Sequence, residues 1–157
     1  MNDTVELLDL LEGMSQSVLQ DAAFVFVEPA EEPYPEWTDT VLEAAIDYCG
    51  PGEGELHLMA SSGFARGLAA NMLGLEPDDP EVESQGPDAL AEMLNTICGA
   101  FVAEAFGTDV VCDLGIPAVS EITPESVERR HSVAALSLVY MTDEEQRLDL
   151  TLSLMMG

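Results

Sequence analysis

The chain has 157 residues and sets 31 acidic side chains against four arginines and no lysine, a formal charge of −27. Such a balance repels polyanions, so nucleic-acid backbones and anionic membrane surfaces are excluded as natural partners. Hydrophobic residues make up 47% of the sequence, there is no internal repeat, and no apolar run approaches the roughly 20 residues that a bilayer requires. The N-terminal MNDTVELLDLLEGM also lacks the basic segment of a secretory leader. The expectation is one cytoplasmic domain over residues 1–157.

In chain order, TVELLDLLEGMSQSVL places Val5, Leu8, Leu11 and Val18 at helical spacing, with Asp3 as its cap. AAFVFVE reads as a strand. EPAEEPYPEWTD is a loop too acidic and too broken by proline to pack, with a mobile tip. TVLEAAIDYCG could be helix or strand by composition, but PGEG joins it to ELHLMAS as a hairpin and makes it a strand. SSGFARGLAANMLG follows as a second helix, with Phe64, Leu68 and Met72 on one side and Gly74 as its stop.

LEPDDPEVESQGP has no period and two internal prolines, so it reads as a linker. Pro87 then opens a third helix, capped by Gly86 or Ser84. An extended stretch, DVVCDLGIPAVSEITPE, precedes two strand arms, HSVAALSLVYM and RLDLTLSLMM, joined at TDEEQ. In the last arm Leu148, Leu150, Leu152 and Leu154 alternate with polar residues, the pattern of a half-buried antiparallel strand. The predicted fold class is α+β: a mostly antiparallel sheet with two or three helices on one face.

Cys49, Cys98 and Cys112 form no close pair and read as buried free thiols. His57 and His131 lie far apart, each in a strand-like run, so a histidine-rich metal site is not expected and a Cys–His nucleophile pair has no local support.

The third helix, DALAEMLNTICGAF, carries the most specific pattern. At about 100° per residue, Asp88, Glu92, Asn95 and Gly99 fall within an arc of about 60°, opposite Leu90, Met93, Leu94, Ile97 and Phe101. Asp88 in a first turn suits the helix dipole whatever the function. Glu92 alone is an ordinary exposed glutamate, and Gly99 is equally what a close helix crossing requires. Asn95 is the residue these explanations reach least, since it is a poor helix former in mid-helix.

Asp88, then Glu92, Asn95 and Gly99, with Pro117 downstream, resembles the signature of the CheC/CheX/FliY family of chemotaxis phosphatases, which act on phosphorylated response regulators. ASSGFARGLAANMLG is similar to the passage that leads to the signature helix in that family. The CheX branch is the nearest likeness, because one such helix is present and CheC-type members carry two. The resemblance implies that Asn95 orients the water attacking an aspartyl phosphate and that Glu92 pairs with the receiver's lysine. Asp88, Gly99 and Pro117 match supporting positions. It further implies a phosphorylated CheY-like receiver as partner, Mg²⁺ supplied by that receiver, no cofactor or metal of the chain's own, and a homodimer formed through sheet edges. A non-catalytic receiver-binding module of the same fold and an acidic nucleic-acid mimic are the alternatives; a hydrolase with paired carboxylates ranks last, since Asp88 and Glu92 share one helix turn.

Overall fold

The computed structural model describes residues 4–154. The elements are α1 (Thr4–Ala23), β1 (Val27–Pro29), β2 (Val41–Cys49), β3 (Glu53–Ser61), α2 (Ser62–Leu73), α3 (Pro80–Phe106), β4 (Asp113–Leu114), β5 (Ala118–Ile122), α4 (Pro124–Val133), β6 (Leu136–Thr142) and β7 (Arg147–Leu154). All strand pairs are antiparallel, in the order β1-β6-β7-β3-β2, and β4 and β5 share the far edge of β2. The α+β class is as read from the sequence.

The PGEG hairpin is present, pairing Val41 with Ser61 through to Cys49 with Glu53. Helix α2 starts where Ser61 accepts from the Phe64 N–H and stops at Gly74, whose φ of 68 is the left-handed conformation that glycine adopts without penalty. Helices α1, α2 and α3 cover one face of the sheet. There Leu11, Leu19, Leu58, Leu90, Phe101 and Leu150 are fully or almost fully buried in one cluster.

Several expectations are corrected. Helix α3 begins at Pro80 rather than at Pro87, so most of the expected linker is its first turns. Asp79, not Gly86 or Ser84, is the cap: its carboxylate accepts from the Glu81 N–H at 3.0 Å, and Pro80 then occupies a position with no hydrogen bond to lose. Pro87 sits inside the helix on an exposed side. The expected arm HSVAALSLVYM begins instead in the last turn of α4, a helix capped by Thr123, so His131 lies on a helix and β6 starts only at Leu136. Of the first expected strand only the end is β1, because α1 continues to Ala23 and Phe24 takes a positive φ of 57. The expected Asp3 cap, and the final Met155 and Met156 of the last arm, lie outside the described residues.

The second face of the sheet departs most from expectation. β7 is buried on both sides, not half-buried: Asp149 and Thr151, which alternate with its leucines, are 0% exposed. Helix α4 and the proline-rich loop cover this face. Val127 and Trp37 pack on Val41, Met59 and Ile122, so the acidic loop does pack, through its tryptophan. Among the cysteines only Cys98 is buried; Cys49 is exposed and Cys112 is intermediate.

Candidate active site

Helix α3 runs for 27 residues with its apolar side against the sheet and α1; Leu90, Leu94, Ile97 and Phe101 are 0% exposed. Asp88 and Glu92 are exposed on the opposite side, and Asn95 and Gly99 are partly exposed beside them. The polar stripe is therefore a surface feature. Among the described residues neither the Glu92 carboxylate nor the Asn95 amide has a hydrogen bond or ion pair. The Thr96 hydroxyl is turned back onto the helix, donating to the Glu92 carbonyl at 2.9 Å, so it leaves the stripe to its neighbours.

Two ordinary explanations of the stripe lose their basis. Asp88 stands well inside a helix that starts at Pro80, where the dipole of the terminus no longer acts. Gly99 is not a close crossing either, since a Cβ there would meet only the Leu114 Cδ1 at 3.9 Å, an ordinary contact. The glycine at the helix crossing is Gly86, buried, where a Cβ would come within 3.4 Å of the Ala65 side chain on α2. That residue was legible only as a cap or a turn.

Asp88 and Glu92 also rim a cleft of about 260 Å³ between α2 and α3, walled by Ala69, Met72 and Leu73. On the other flank, Glu121 shares a cleft with Gly86 and Pro87, while Leu114 adjoins Gly99. From Pro87 to Gly99 the helix rises roughly 18 Å, and from Leu114 to Glu121 an extended chain covers roughly 23 Å. The β4–β5 segment thus runs alongside α3 in the opposite direction. Gly115 fixes that path: its N–H donates to the Asp47 carbonyl at 2.8 Å, and a Cβ there would collide with the Asp47 carboxylate.

The other titratable groups lie elsewhere. Cys98 faces the core from α3, and burial, with Cys112 and Asp47 nearby, pushes its thiol up to about 12, far from a nucleophilic thiolate. Both histidines are on the opposite face of the sheet: His57 contacts the Thr151 hydroxyl at 3.4 Å and Glu55, and His131 contacts Asp149 at 2.7 Å. The Cys–His pair is not assembled. Among the described residues no group of three or more His, Cys, Asp or Glu side chains could hold a metal ion. Helix α3 is long and apolar enough, by length and composition, to cross a membrane, but its apolar side lies in the core.

The arrangement offers an amide and a carboxylate on adjacent positions of one rigid turn, projecting from a ridge rather than lining an enclosed pocket. Sequence reasoning missed the exposed aliphatics Val111, Leu114 and Ile116, of which Leu114 adjoins Gly99 on α3, because VVCDLGIP shows neither alternation nor helical period.

A family model described as chemotaxis phosphatase CheX matches residues 42–141. The fold is similar to that of a CheX from Borrelia burgdorferi, solved as a complex with CheY, BeF3 and Mg²⁺: the TM-score is 0.72 at 18% identity, covering 98% of this chain and 99% of that one. It is also similar to a CheX from Desulfovibrio desulfuricans, with TM-score 0.69 at 18% identity over 96% and 99% of the two chains. FliY from Thermotoga maritima is more distant, with TM-score 0.56 at 13% identity over 97% and 91%. No curated protein matches the sequence.

Proposed function

Because the chain belongs to the CheX family of chemotaxis phosphatases, we propose that it hydrolyses the aspartyl phosphate of a CheY-like response regulator, with Asn95 and Glu92 as its catalytic pair. The observation that carries this reading is that both side chains stand on one turn of α3 at the surface, with no hydrogen-bond or ion-pair partner among the described residues.

An aspartyl phosphate is an activated acyl phosphate, and the Mg²⁺ that neutralises it belongs to the receiver. What a phosphatase must add is a water held in line with the scissile P–O bond. The Asn95 amide can accept from and donate to that water, and a helix fixed against the core keeps it there. Water attacks phosphorus, the Asp carboxylate leaves, and inorganic phosphate is released. Glu92, one turn away, pairs with the receiver's lysine and sets the docking angle. Neither role needs a shifted pKa or a histidine. Asp88, Gly99 and Pro117 support the turn and its approach and take no chemical step. The reading extends to a cytoplasmic protein of one domain and to a homodimer, for which the outer edge of β5, exposed along most of its length, is available.

The test is release of radiolabelled phosphate from a pre-phosphorylated receiver. Asn95→Ala should bind the receiver and fail to accelerate hydrolysis, while Glu92→Ala should weaken binding as well as turnover. If the folded Asn95→Ala protein works at the parent rate, the stripe is not the active site. If the parent binds the receiver without hydrolysis, the chain is a binding module of the same fold.

A further inference from the structure

Asp88 and Glu92 are one helical turn apart on α3, and both are exposed. Like charges at this spacing repel. The fold does not offset that cost, because among the described residues neither carboxylate has a hydrogen-bond or ion-pair partner, and the chain has no lysine to supply one. Both line the cleft of about 260 Å³ between α2 and α3, together with Ala69, Met72 and Leu73 of α2. Leu73 is 53% exposed, an aliphatic side chain left open in a cleft that also holds two carboxylates. Met72 and Leu73 are the last residues of α2, at the negative end of its dipole, and no basic residue stands in that last turn. Two carboxylates and a helix C-terminus thus converge on one apolar-walled cleft.

Resting on the phosphatase reading for its partner, we propose that this cleft takes a second basic side chain of the receiver, a lysine or arginine distinct from the lysine that pairs with Glu92. Its aliphatic stem lies along Met72 and Leu73, and its charged head meets Asp88. Lysine and arginine lay methylene stems on apolar surface and carry charge only at the tip, so one such side chain satisfies both the walls and the rim. The occupant belongs to the receiver because Glu92 lies on the catalytic turn and in the cleft alike, so a surface docked on Glu92 is brought against the cleft. In a chain of formal charge −27, a cation is also the group that this surface attracts. Asp88 is then a specificity-determining residue: a receiver with a neutral or acidic side chain at that place leaves its carboxylate unpaired or repelled.

The experiment titrates a BeF3⁻/Mg²⁺-loaded CheY-like receiver against the parent, Asp88→Asn, Asp88→Glu and Leu73→Ser at low and high ionic strength, and follows turnover of the phosphorylated receiver in parallel. Both side chains are exposed, so the variants should fold as the parent does, which urea midpoints check. Asp88→Asn should raise Kd and KM about fivefold at low salt, and its ratio to the parent should shrink toward one as salt screens the lost charge. Asp88→Glu keeps the charge and should stay near the parent. Leu73→Ser should raise Kd about threefold at both ionic strengths, since what it removes is apolar contact. The effects fall on KM and not on kcat. Asp88→Asn binding as tightly as the parent or more tightly overturns the proposal, because removing a carboxylate then only relieves repulsion. Parent affinity in Leu73→Ser, or a fall in kcat alone, overturns it as well. If the parent binds the receiver without turning it over, the phosphatase reading fails while the titrations still decide the cleft; if the parent binds no receiver, both fall.

Discussion

The two faces of the sheet treat polar side chains in opposite ways. On the second face Glu43, 4% exposed, receives two hydrogen bonds from Arg130, at 2.6 and 2.9 Å. Asp149, 0% exposed, receives two from Arg147 at 2.8 and 2.9 Å and a third contact from His131. Arg147 also donates to the Pro35 carbonyl and lies over the rings of Trp37 and Tyr34, 4.6 and 5.5 Å from their centroids. Two of the four arginines are thus committed to holding α4 and the proline-rich loop on the sheet. On the helical side Glu92 and Asn95 lie at the surface with no partner among the described residues. A buried charge without a partner is untenable, so burial and pairing occur together. A polar group at the surface need have no partner, and one placed on a rigid turn without any is available to another molecule.

Breaking a partnered group should therefore cost stability, and breaking an unpartnered one should cost activity. The largest stability effect is expected from Asp149→Ala, which strands the Arg147 guanidinium: a loss of about 3–5 kcal/mol, read from urea midpoints, with activity lost only as the fold is lost. A stability near that of the parent would mean that the second face is solvated and the contrast false.

Asn95→Ala should invert this pattern, lowering receiver dephosphorylation by roughly 10²-fold while the urea midpoint moves by no more than about 0.5 kcal/mol equivalent. A smaller change is expected of Gly99→Ala. The fold has room for the methyl group, so the helix should gain up to about 1 kcal/mol, while receiver affinity falls if another surface must approach there. A gain in stability with no loss of affinity would place the contact elsewhere on α3.

The smallest effect is expected at Asp39. The Ser62 hydroxyl, first, and then the Thr40 N–H bond its carboxylate and hold its pKa below the usual 3.8, and Gly63 N–H adds to this. A carboxyl depressed in the folded state contributes stability above its unfolded pKa, and that contribution is lost as pH falls through the folded value. The difference in Tm between the parent and Asp39→Asn should be slight at neutral pH, because the group is exposed, and should vanish well below pH 3.8.

Local signals carried the elements whose ends are marked chemically. PGEG closed the β2–β3 hairpin, Gly74 ended α2, and the period of residues 88–101 set the buried and exposed sides of α3. Where two signals competed, composition misled. Asp79–Pro80 is a helix start, but it lies in a stretch whose prolines and acids read as linker; Thr123–Pro124 is another, ahead of a run that alternates like a strand. For β7 the alternation was real, yet it reported only which residues face the helices, because Asp149 and Thr151 are polar and buried together.

By itself the sequence determined the α+β class and the angular placement of Asp88, Glu92, Asn95 and Gly99, because helical period is a property of a short stretch of chain. Only the tertiary structure decided that Glu43 pairs with Arg130 and Asp149 with Arg147, that Gly86 rather than Gly99 is the crossing glycine, and that Leu114 lies against Gly99 on α3. Each of these depends on residues far apart in the chain meeting across the sheet or between helices, and no local pattern encodes which distant partner will be there.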